Sequence, residues 1–70
     1  MAIEKIDLPT ARKRVRMTQK GLADACGVSV STVSNWEKGK SEPTVSQARM
    51  IGKAVGLHYD DIIFLHQVTV

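Results

Sequence analysis

A single cysteine, Cys26, is all the chain carries, so no disulfide can close within it. With two separated histidines, His58 and His66, it makes no zinc-ligand spacing, and Cys26 is expected to be a small core residue rather than a nucleophile. No apolar run exceeds a few residues and no signal peptide is visible, which argues against a membrane span and predicts a cytoplasmic protein. Also missing are a glycine-rich phosphate loop, a nucleophile with a base at motif spacing, and a metal cluster. A chain this short has no room for a deep pocket, so an enzyme reading finds little support and neither cofactor nor metal is expected. Repeats, low-complexity segments and long linkers are likewise absent.

What is present fits one small domain over residues 1–70. Its hydrophobic content of 43% with 24% charged residues is ordinary for a globular fold and unlike a disordered tail. Seventy residues bury little surface, so the helices must pack closely or the chain must associate. The formal charge of +3 is unevenly placed. In the first twenty residues Lys5, Arg12, Lys13, Arg14, Arg16 and Lys20 stand against only Glu4 and Asp7, whereas the last thirty carry a slight acidic surplus. That asymmetry is consistent with a basic face for a polyanion, or equally with the solvated face of one helix.

Taken in order, residues 1–6 read as an N-terminal arm. Asp7 can cap a first helix with Pro9 in its first turn, and Leu8, Ala11 and Val15 share one face, with Met17 filling the corner that follows. Thr18 opens a second helix whose stripe is Leu22, Ala23 and Cys26, and Gly27 stops it. Ser29 caps a third, in which Val33 and Trp36 point inward and Gly39 closes the run before Pro43. Trp36 therefore reads as core rather than as a base stacker. Thr44 and Gln47 have capping-box spacing, followed by Val45, Ala48, Ile51, Ala54 and Val55 at helical spacing up to Gly56. Gly52, mid-helix, is read as permitting close helix contact. A short fifth helix is expected through Asp60-Asp61 and Ile62 to Leu65, its start less secure because His58 holds the cap position. Residues 66–70 form a C-terminal tail. The expected architecture is all-α, a compact bundle of about five short helices.

The run Thr18-Gln19, Leu22-Ala23, Gly27-Val28-Ser29 and Thr32-Val33-Ser34-Asn35-Trp36-Glu37-Lys38-Gly39-Lys40 resembles the helix-turn-helix family of Cro and phage-repressor-like (Xre-type) regulators. The similarity extends from about Leu8 to Phe64. It implies a lambda-repressor-like domain, a sequence-specific transcriptional regulator that occupies an operator on double-stranded DNA. The same fold serves antitoxins and adaptor-like proteins, so a protein-interaction module is the alternative. Salt separates the two readings, because binding through several phosphates falls steeply as salt rises.

By this resemblance Val30, Ser31, Ser34 and Asn35 occupy the base-reading positions. Asn35 can pair bidentately with adenine, Val30 can touch a thymine methyl, and the serines can donate or accept. No arginine or glutamine stands on that face, so direct discrimination is expected to be modest. Gln19, Lys20, Thr32, Lys38, Lys40 and Ser41 are the family-like phosphate positions, with Arg14 a further candidate. Arg12 and Glu37 match a family ion pair that joins the first helix to the end of the third. Family dimers often join near the C-terminal end, which implies a weak homodimer on a palindromic operator. Phe64 or Leu65 serves either that contact or the monomer core.

Overall fold

The structure, a computed structural model, describes residues 5–63. Four helices form where caps and left-handed residues bracket apolar stripes: α1 (Leu8–Arg14), α2 (Gln19–Cys26), α3 (Val30–Lys38) and α4 (Val45–Val55). Asp7, Thr18, Ser29 and Thr44 are the N-caps, each side chain accepting the backbone N–H three residues on. Thr44 and Gln47 close a reciprocal capping box.

The core is one cluster drawn from every helix: Leu8 and Ala11, Leu22, Ala23 and Cys26, Val33 and Trp36, then Ala48, Ile51 and Val55. Helix α2 packs on both α3 and α4, and α1 lies against α3 and α4. Met17 packs at the corner between α1 and α2, as its position suggests.

Two valines depart from the periodic reading. Val15 follows the last turn of α1 and is exposed, because the chain reverses there. The Met17 N–H reaches back to Arg12 O at 3.1 Å, and Arg16 takes the left-handed conformation at φ 58°. Val45 is 62% exposed, since it starts α4 one turn before the part that neighbouring elements cover.

The expected fifth helix is not formed. After His58 the chain makes one 3-10 turn, Tyr59–Asp61, then a strand β2 (Ile62–Ile63) that pairs in parallel with β1 (Ile6–Asp7). Two adjacent β-branched residues suit an extended ladder, and Ile62 is buried against the core there. His58 is a poor cap, its Nδ1 accepting from the Asp60 N–H at 3.4 Å. Ile6, placed in the N-terminal arm by the sequence reading, is thus one rung of a ladder that ties the two ends together. Residues 1–4 of the arm, Phe64, Leu65 and the 66–70 tail lie outside the described residues.

Gly52 is required by its surroundings, the chain leaving α4 and the start of the 3-10 turn that packs on it. A Cβ built there would lie 2.6 Å from the carbonyl oxygen of Leu57 and 3.2 Å from the backbone nitrogen of Tyr59. The absent side chain lets the chain leaving α4 fold back across it.

Candidate nucleic-acid interface

The site is built from the turn between α2 and α3. Gly27 sits at φ 69°, a left-handed conformation glycine reaches without strain, and its neighbour Val28 donates to Ala23 O at 3.0 Å. Ser29 immediately caps the next helix through Thr32 N at 3.1 Å, while its hydroxyl lies 3.0 Å from that of Thr32. Two residues, Val28 and Ser29, therefore separate the left-handed glycine from the first residue of α3.

Burial of Val33 and Trp36 fixes the rotation of α3 about its axis. The opposite face then carries Val30, Ser31 and Asn35 exposed, with Ser34 half-buried beside them. Asn35 keeps its side chain outward while its backbone carbonyl accepts from Lys40 N at 2.9 Å and Ser41 N at 3.4 Å, closing the helix at Gly39.

A charged network braces this face from behind. Arg12 Nε donates to Glu37 Oε2 at 2.7 Å and Nη2 to Oε1 at 3.4 Å, while Nη1 donates to the carbonyl of Met17 at 2.8 Å. Gln19 Nε2 adds a bond to Glu37 Oε1 at 2.9 Å. The Arg12 and Glu37 side chains are only 12% and 8% exposed, so the network joins α1, the α1–α2 corner, the start of α2 and the end of α3 with its ion pair largely shielded from solvent. The family resemblance indicated the ion pair, but not the share that Gln19 and the Met17 carbonyl take in it.

A helix-turn-helix family model matches residues 10–62. A curated relative from Methanothermobacter thermautotrophicus, named an uncharacterized HTH-type transcriptional regulator, is 37% identical over 57 residues, covering 80% of this chain and 83% of its own length. The chain belongs to the helix-turn-helix family. No solved structure gives a significant match.

Around the α3 face of this helix-turn-helix protein the other sequence-selected residues are differently placed. Lys38, Lys40 and Ser41 are exposed about the Gly39 cap, and Arg14 is exposed at the end of α1. Lys20 is exposed too but lies 3.2 Å from Asp24 on the next turn. Such a surface pair holds its partners loosely. Thr32 is half-buried with its hydroxyl turned to the Ser29 cap, and Gln19 is half-buried in the Glu37 network. The structure thus gathers Val30, Ser31, Ser34 and Asn35 on one helix face, with lysines at its C-terminal end.

Cys26 is buried, and that burial pushes its thiol pKa up, so the sulfur stays protonated as a core atom. Among the described residues no three His, Cys, Asp or Glu side chains gather as a metal site. No described helix is long and apolar enough to cross a membrane.

Proposed function

We propose that this chain is a sequence-specific DNA-binding regulator, Cro-like or repressor-like, that occupies an operator in the cytoplasm of a prokaryote or phage-infected host. Helix α3 enters the major groove, where Val30, Ser31, Ser34 and Asn35 meet base edges. Lys38, Lys40 and Ser41 hold the phosphates past the end of α3, joined by Arg14, Gln19, Lys20 and Thr32. The observation that carries the reading is the α3 face itself. Among the described residues it is small and exposed at Val30, Ser31 and Asn35, and a half-buried hydrogen-bonded network behind it ties α3 to α1 and α2.

Asn35 alone offers a bidentate base contact, worth about 1–3 kcal/mol of discrimination. Specific binding typically exceeds non-specific by roughly 4–10 kcal/mol, so two half-sites read by a homodimer on a palindromic operator supply much of the remainder. Methyl contacts from Val30, water-bridged serines and DNA shape add to it. Selection from a random duplex pool at two salt concentrations tests this. The reading expects a recovered motif with twofold symmetry and retention that falls steeply with salt. Weak, salt-insensitive retention with no motif would overturn it and favour a protein-interaction role.

A further inference from the structure

Within two residues of its end, each helix meets a backbone turned left-handed. After α2, α3 and α4 that residue is glycine: Gly27, Gly39 and Gly56, at φ 69°, 77° and 74°. After α1 it is Arg16, at φ 58°, and among the described residues no other non-glycine has a positive φ. This conformation presses a Cβ against the following carbonyl oxygen, so an arginine stands where glycine would fold with less strain.

The corner that holds it is fixed on both sides. Arg16 N–H donates to Lys13 O at 3.0 Å, Met17 N–H to Arg12 O at 3.1 Å, and Arg12 Nη1 to the Met17 carbonyl at 2.8 Å. The same guanidinium holds Glu37, the residue before Lys38 at the end of α3. Arg16 is therefore set in place relative to the lysines past α3, by surroundings that over-determine its backbone, as they do where strain accompanies function.

The fold itself makes no use of the charge. Arg16 is exposed and, among the described residues, forms no ion pair. Residues 8–23 contain neither Asp nor Glu. Lys20 is shared with Asp24 on the next turn, and Lys13 acts on Asp7 at the other end of α1. We propose that Arg16 is a phosphate-binding residue, holding the DNA backbone beside the end of α3, and that an arginine occupies this strained position for that contact. Its planar fork of N–H donors matches a phosphate, and neutralising one releases counterions. The inference rests on the DNA-binding reading above and adds to it a contact that the sequence resemblance did not indicate.

Thermal unfolding, together with binding to one fixed duplex across a salt titration, tests it in the full chain. Arg16→Gly is expected to unfold no earlier than the parent, because relief of the left-handed Cβ offsets the greater freedom of glycine in the unfolded chain. It is nevertheless expected to bind about threefold or more weakly at low salt, with a salt slope flatter by about one unit. Arg16→Lys is expected to restore the slope that Arg16→Gly loses. Lys53→Ala removes one exposed charge from α4 and is expected to keep the parental slope, which separates a local contact from net charge. Binding lost without stability lost is a pattern that general damage to the fold does not produce. If the parent binds with steep salt dependence and Arg16→Gly keeps its slope, this proposal alone is overturned. Equal flattening by Lys53→Ala would overturn it too, as would an Arg16→Gly variant less stable than the parent. A parent without salt-dependent binding would overturn the DNA-binding reading and this contact with it.

Discussion

Arg12 and Glu37 each hold a charge almost out of water, and each depends on the other for compensation. Removing one partner strands the other, so Arg12→Met or Glu37→Leu alone is expected to lose about 3 kcal/mol or more in urea unfolding. Replacing both with apolar residues is expected to recover much of that loss, and singles that melt like the parent would contradict it. On the reading face the expected effects are chemical rather than structural. Asn35→Ala is expected to relax preference at one A·T position per half-site. Lys40→Ala is expected to weaken all sequences alike and flatten the salt slope by about one unit. Parallel selections with the two variants check this, and a parental motif kept by Asn35→Ala at every position would contradict the assignment. The ion pair was legible because opposite charges at family-matched positions leave few alternatives. The direction of the Gln19 amide was not, because a residue at a helix start faces either solvent or the neighbouring helix until tertiary packing decides.

Helices bracketed by both a polar cap and a glycine were legible at both ends, as α2, α3 and α4 show. The segment after Gly56 lacked that bracket. His58 caps it poorly and Ile62-Ile63 favour an extended chain, so a turn and a short ladder replace the expected fifth helix. Val15 and Val45 were misplaced for a related reason: periodicity shows which face is apolar but not how far the covering elements reach.

Gly52 supplies the sharpest test at this scale. Propensity alone favours alanine inside a helix by about 1 kcal/mol, yet a Cβ there meets the Leu57 carbonyl at 2.6 Å. Gly52→Ala is therefore expected to destabilise by roughly 1–3 kcal/mol as the backbone after α4 is pushed away, and a stabilised variant would contradict the packing. Asp7 provides a pH signature for α1. Hydrogen bonds from the Thr10 side chain and backbone N–H, helped by nearby Lys13, hold its carboxyl below the ordinary 3.8. A lowered folded-state pKa means the cap contributes fully above the unfolded value and fades as pH falls through the folded one. Asp7→Ala is expected to cost about 1 kcal/mol at neutral pH, and the gap to the parent is expected to close below pH 3.8. A gap that persists in strong acid would mean the carboxylate is not the cap.

At the scale of the whole molecule, the proposed DNA-reading surface is confined to one element. The α3 face, with lysines at its C-terminal end, points outward on one element. The basic surplus of the first twenty residues is plain from the amino-acid sequence, but a charge count does not say which side chains are used internally. Arg12 is turned inward to Glu37, and Lys20 is shared with Asp24. The central claim, that α3 is the surface that reads DNA, is tested most directly by titrating isotope-labelled protein with a selected operator duplex and following its backbone amide resonances. The account predicts the largest changes at Val30, Ser31, Ser34 and Asn35, with smaller ones at Lys38 to Ser41. Saturable binding that leaves the α3 resonances unmoved would contradict it.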